Sequence, residues 1–272
     1  MVNLQPQAQV SEAEREAGLR LLVNEALYSG GAAALTTGVI LTAFALHLGA
    51  SNVMIGVLAS APFVAQLLQV PAVILVERLR RRKAIAVLTS IVGRAMLGVM
   101  AVTAFFAGTG PLLVFLAAQF ILFGLGAIGA CAWNAWMRDL APEERLGEVF
   151  ARHTIWLTVI SLILGLAAAL ALDLTGEGSR ARDGVFATMF GVGCVTGLIS
   201  ACIVAAMPEP MMLPPAGPAR LLELLRKPLR DANFAACSAS SPAGSSRSIW
   251  RRPSLPCSSS ASSASTSASS WS

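Results

Sequence analysis

Residues 26–76 read ALYSGGAAALTTGVILTAFALHLGASNVMIGVLASAPFVAQLLQVPAVILV, fifty-one residues without one Asp, Glu, Lys or Arg. An α-helix rises about 1.5 Å per residue, and the hydrocarbon core of a bilayer is about 30 Å thick. The stretch is therefore long enough to cross a membrane twice, with Gly49-Ala50-Ser51-Asn52 as the turn between crossings. No soluble core helix needs so long an uncharged run. The bilayer is this chain's solvent.

Similar charge-poor segments follow on the C-terminal side. The spans predicted are 26–47, 53–76, 84–106, 112–137, 153–172 and 185–206, with Gly108-Thr109-Gly110-Pro111 as the turn between the third and fourth. The fold class is thus an all-α membrane protein with six transmembrane helices. On the N-terminal side, residues 11–25 set Leu19, Leu21, Leu22 and Val23 among charges, the pattern of an amphipathic segment on the membrane surface leading into the first span. No cleavable signal peptide is visible in the polar first 25 residues, so the first span does the targeting.

The whole composition agrees, at 55% hydrophobic and 13% charged residues. A net charge of +5 raises nucleic acid as a partner, but the basic residues sit in short clusters between apolar spans and are not interleaved with aromatics. Nucleic-acid binding is set aside. Fourteen Lys and Arg fall in the N-terminus, the 77–83 and 138–152 loops and the segment after the sixth span, against only Arg180 and Arg182 on the opposite side. The positive-inside rule then puts both termini in the cytoplasm, and the expected location is a bacterial inner (cell) membrane.

After the sixth span the character changes. Residues 207–236 hold Pro208, Pro210, Pro214, Pro215 and Pro218 and then a basic stretch, Arg220 to Arg230, which read as a stiff cytoplasmic linker. Residues 237–272 contain 17 Ser in 36 residues and read as a disordered tail. A second explanation is an out-of-frame reading. Codons can be chosen so that residues 244–256, read one base over, spell an apolar string fit for a membrane span.

Catalytic chemistry is nearly absent. His47 and His153 lie at span ends with no Cys or His at ligand spacing, so no metal site is expected, and no cofactor motif is present. No Gly-x-x-x-x-Gly-Lys-Ser/Thr loop exists to bind a nucleotide. Cys131, Cys194 and Cys202 lie in apolar spans and act as small hydrophobes. Asp139, Glu143 and Glu144 read as a solvated loop cluster, and Trp133, Trp136 and Trp156 as interfacial anchors. The small residues Gly30 to Ala34 and Gly124, Gly126 and Gly129 permit close helix approach.

The loop Glu77-Arg78-Leu79-Arg80-Arg81-Arg82-Lys83 has two readings: a charged latch between conformations, or a topology anchor. Arg94 is the single charge deep within a predicted span. Such a charge is costly at mid-bilayer and faces the bundle interior or a wet cavity. It reads either as an anion or substrate contact or gate, or as a structural arginine bonded to polar neighbours.

At these residues the chain resembles the major facilitator superfamily. That family's loop between the second and third spans follows Gly-x-x-x-Asp-Arg-x-Gly-Arg-Arg. Glu77, Arg78, Arg81 and Arg82 fall on its Asp and three Arg positions, while Val73 and Arg80 stand where it has Gly. Residues 133–147 resemble the loop after its fourth span, with Asp139, Pro142, Arg145 and Gly147 on the motif positions. Together the resemblance covers residues 20–234 and implies the N-terminal six-helix half of such a transporter, built from two inverted three-helix repeats. It also implies that the first and fourth helices line the cavity, which singles out Thr37, Gln119 and Asn134, and that the third lies farther out, which favours the structural reading of Arg94. Phe120 replaces the Arg expected four residues before Gly124-Leu125-Gly126, and the fifth span has Gly165 without the Gly-Pro motif. Proton-coupled drug export is therefore not implied.

The expected function is movement of a small solute across the membrane by alternating access, with no enzymatic activity. One half lacks an opposing wall, so the expected partners are the lipid bilayer, a small-molecule substrate, and a second six-helix half or another copy of the chain. Without such a partner the product is an inactive truncated fragment, the reading favoured over a working half-transporter; the alternative is a non-transporting membrane scaffold or an embedded subunit of a membrane enzyme complex.

Overall fold

Glycine and proline breaks interrupt the first two spans of this chain, and serine N-caps open the second and the sixth. The structure, a computed structural model, describes residues 6–7, 10–36, 38–106, 108–141, 145–176 and 179–212. Thr37, Pro142, most of the 207–236 linker and the 237–272 tail lie outside the described residues. The elements are α1 (Glu12–Thr36), α2 (Gly38–His47), α3 (Asn52–Leu67), α4 (Gln69–Leu79), α5 (Arg82–Thr103), α6 (Thr109–Leu140), α7 (Leu146–Asp173) and α8 (Arg180–Ala206). Among the described residues there is no strand beyond a single bridge between Gln7 and Pro210.

Six helical stretches are long and apolar enough to cross a membrane, α1 with α2 and α3 with α4 each counting as one. The first is interrupted before Gly38, whose φ of +63° is a left-handed conformation that glycine adopts freely. The second is interrupted at Leu68 because Pro71 has no N–H to offer the carbonyl four residues back. Ser51 and Ser179 open the second and sixth spans as N-caps, their hydroxyls accepting from the backbone N–H of Met54 and Arg182. The helices overrun the expected spans at most ends, although the first ends at residue 47 as expected and the third stops at Thr103, short of residue 106. In particular α1 runs unbroken from Glu12 to Thr36, so the amphipathic stretch 11–25 is continuous with the first span.

Packing follows a simple scheme. α1 lies against α7 and α8, α6 against α5 and against α3 and α4, and α5 against α8. Exchanging spans one, two and three with spans four, five and six leaves that scheme unchanged. Successive spans alternate in direction, so the exchange is an inverted one. Close approach of α1 and α7 needs Gly30, where a Cβ would stand 2.8 Å from the Leu157 carbonyl oxygen; Ser161 on α7 donates to the Gly30 carbonyl at 3.0 Å.

Two apolar clusters close the ends of the bundle. At the end away from the 77–83 loop, Phe44 meets Phe115, Phe186 and Phe190 with ring centroids 5.1, 5.0 and 4.9 Å apart. At the loop end, Trp136, Met137, Leu140, Leu22 and Met207 pack together. Outward faces carry large exposed apolar side chains, such as Phe63 and Leu67 on α3 and Leu162, Leu166 and Leu170 on α7. These suit hydrocarbon, not water.

Candidate functional site

Between the two apolar clusters lies a cavity of about 500 Å³ to which all six spans contribute. Its polar wall is built by helical periodicity. Glu25, Ser29, Ala33 and Thr36 recur along one face of α1, and Ala86, Thr89, Ser90, Gly93 and Arg94 along one face of α5. Gln66 and Gln69 enter from the second span, Trp133 from α6, His153 from α7 and Ser200 from α8.

The carboxylate of Glu25 organises this wall. One oxygen lies 2.8 Å from His153 Nε2, and the other accepts from the Ser200 hydroxyl at 3.0 Å. Glu25 is buried, and the two partners come from different spans, so a single side chain ties α1 to both α7 and α8. The His153 ring is tilted over Trp133 at 5.4 Å, and Trp133 meets Phe150 edge-on at 5.7 Å. The stem of Arg94 lies along α8 in the space left by Gly197, where a Cβ would come within 2.5 Å of Arg94 Cδ. Arg94 lines the cavity and feels the Glu25 charge. Among the described residues it makes no hydrogen bond or ion pair. The bonded structural arginine is therefore not what these contacts describe, because the lane beside Gly197 lets the third span turn this side chain inward.

A second cluster sits at the loop end and centres on Arg82, at the start of α5. Its guanidinium is buried, donating to the carbonyls of Ala135 and Pro210 at 3.0 Å each and pairing with Asp139 through a short contact. Glu209 lies 3.8 Å from Arg82 Nε, and among the described residues neither of its carboxylate oxygens has a partner at full hydrogen-bond geometry, although the backbone N–H groups of Lys83 and Arg82 are near enough to act on it. Burial pushes the Glu209 carboxyl up from the ordinary range. The backbone N–H groups of Lys83 and Arg82 and both side-chain charges pull the other way. Trp136 Nε1 donates to the Pro208 carbonyl at 3.0 Å, and Gln7 exchanges backbone hydrogen bonds with Glu209 and Met211. One arginine thus joins the start of the third span, the end of the fourth and the chain leaving the sixth.

The expected site residues distribute unevenly over these two clusters. Arg82 and Asp139 meet in an ion pair in which Asp139 stays 44% exposed; Glu143 and Glu144, read with it as a solvated cluster, lie outside the described residues. Glu77, Arg78 and Arg81 make no ion pair among the described residues. Arg145 pairs with Glu16 at 3.0 Å on the exposed surface, and Gly147 is exposed. Of the cavity candidates, Arg94 lines the cavity, Gln119 is fully buried with both amide atoms unpartnered and away from the cavity lining, and Asn134 is exposed. Thr37 and Pro142 lie outside the described residues. Trp136 and Trp133 are not interfacial anchors, since one is wholly buried and the other faces the cavity; Trp156 is exposed.

Sequence reasoning missed Glu25, His153, Ser200 and Glu209. Cutting the first span at Ala26 left Glu25 outside it. The signal was the spacing of Glu25, Ser29 and Thr36, which continues the face of one helix across that cut. Both histidines pair with carboxylates, His47 with Asp183 at 2.6 Å at the opposite end of the bundle. Among the described residues no cluster of three or more metal-ligating side chains is present.

Compared with known protein families, residues 22–272 match the Major Facilitator Superfamily. The match runs past residue 234, where the resemblance carried by the motifs ends. No curated protein and no solved structure matches the chain. The family is one of transporters and not of enzymes. With six membrane-length apolar helices and a family match over most of its length, the chain belongs to the Major Facilitator Superfamily.

Proposed function

We propose that this chain forms the N-terminal six-span half of a secondary transporter, which moves a small solute by alternating access around the cavity that Glu25 and Arg94 line. A second six-helix half, or another copy of the chain, supplies the opposing wall. The 77–83 loop and both termini face the cytoplasm of a cell inner membrane, in line with the fourteen basic residues on that side. The observation that carries the reading is a cavity with a polar wall, lined by residues from all six spans of an otherwise apolar bundle. Polar groups in hydrocarbon are costly and mark solute paths. The Arg82 cluster is the latch in this scheme: a buried ion network whose members belong to three segments is made in one arrangement and broken in another.

The test is accessibility. With the native cysteines replaced, a single cysteine at Ser90 is challenged with a membrane-impermeant maleimide in intact cells and in inverted vesicles. Alternating access expects labelling from both sides. Labelling from one side only, or from neither, overturns the proposal.

A further inference from the structure

We propose that the cavity binds a small anionic solute through its carboxylate or phosphate group, with Arg94 as the residue that recognises it. The inference rests on the transport reading of the cavity and adds the chemical class of its cargo. Arg94 sits twelve residues into the helix that begins at Arg82, about 18 Å along its axis. A guanidinium at that depth is stable only when it is paired, hydrogen-bonded or wet. Here its five N–H donors have no partner among the described residues.

The obvious counter-charge is already committed. Glu25 acts on Arg94 through space, but one of its oxygens is taken by Ser200 and the other by His153. The cavity therefore holds an acceptor that is satisfied and a donor that is not. Other donors share the space with Arg94. Ser90 lies one turn below it on the same face of α5, and the Gln66 and Gln69 amides enter from the second span. A planar, charged fork beside groups that can donate from hydroxyl and amide matches an oxyanion, and its charge repels a cation. Gly197 keeps the lane for the arginine stem open.

The experiment uses the purified full chain in detergent. Thermal unfolding is followed with sodium succinate and sodium phosphate, and with succinamide and ethanolamine hydrochloride as neutral and cationic controls, all at matched ionic strength. The two anions separate a carboxylate cargo from a phosphate one. We expect one of them to raise the unfolding midpoint. Arg94→Gln should weaken its apparent affinity by about tenfold to a hundredfold, the loss of charge-assisted hydrogen bonds. Arg94→Lys, which keeps the charge, should retain part of the response, and Ser90→Ala guards against a folding defect in the arginine variants by giving a smaller loss of the same kind.

A midpoint raised equally in Arg94→Gln, a midpoint raised by succinamide or ethanolamine through Arg94, or no response to either anion overturns the proposal. The outcome is independent of the accessibility test. Arg94-dependent anion binding in a cavity labelled from one side only leaves the site standing and removes the transport reading. Labelling from both sides with no anion response does the reverse.

Discussion

Replacing Arg82 with Met removes the centre of the loop-end cluster while keeping most of the side-chain volume. The loss can be estimated from its contacts. Two backbone carbonyls, Ala135 and Pro210, lose a charged donor, and Glu209, 1% exposed, loses one of the two cations that act on it, with only Lys83 remaining. Asp139 is 44% exposed and can turn to water, so it adds little. Removing one partner of a buried ion network costs about 3–5 kcal/mol, most of it the penalty on the charge left behind. If that is the origin, neutralising that acid should recover much of the loss. The double variant Arg82→Met/Glu209→Met should be less destabilised than the sum of the singles by about 1–3 kcal/mol. The assay is SDS-driven unfolding in mixed micelles of the wild type, both singles and the double. An Arg82→Met loss below about 1 kcal/mol, or singles that simply add, would mean the cluster is a surface ion pair and the reasoning fails.

Other substitutions test separate parts of the description. Arg80 ends α4 with φ at +50°, a left-handed conformation unfavourable for a side chain. Arg80→Gly should stabilise the chain by about 0.5–1 kcal/mol in the same unfolding assay, the relief of strain exceeding the added chain entropy. The raised Glu209 carboxyl predicts a slope with pH. The folded state holds its proton more tightly than the unfolded state, so its contribution is fully present below the ordinary value of 4.5 and is lost as pH rises through the elevated folded value. Glu209→Gln should flatten that part of a melting profile recorded between about pH 4 and 8. Gly197→Ala should cost about 1–3 kcal/mol by forcing Arg94 from its lane, and Arg94→Ala in the same chain should remove most of that cost; equal cost in both backgrounds would mean the arginine stem is not what the methyl meets.

Much of the fold was legible because lipid simplifies the code. A gap in charge is a span, and a cluster of arginines is a loop. The Arg82–Asp139 pair was within reach too, since both residues stand on motif positions, although nothing in the spacing joins residues 57 apart. The Arg80 position shows why the family pattern has Gly there: the backbone turns left-handed at that residue. What sequence hid was the value of a polar residue next to a span. Glu25 looked like the edge of a surface helix because one charged residue ended the apolar run. In the fold that charge is buried against His153 and Ser200, partners more than a hundred residues away. Glu209 and the segment 208–211 read as a linker, yet they cap a buried arginine. Long-range pairing of that kind leaves no local period to detect.

The fifth span is held chiefly by the first, and two of its ties are polar: His153 to Glu25 and Ser161 to the Gly30 carbonyl. An unmade bond between packed spans is costly, so the favoured positions are those in which both ties find a partner. Sliding α7 along α1 by one helical turn, about 5.4 Å, must break both together. A slide of that kind would be stepwise and not continuous, like a ratchet pawl between teeth, with rest positions fixed by where a serine and a histidine can next find an acceptor.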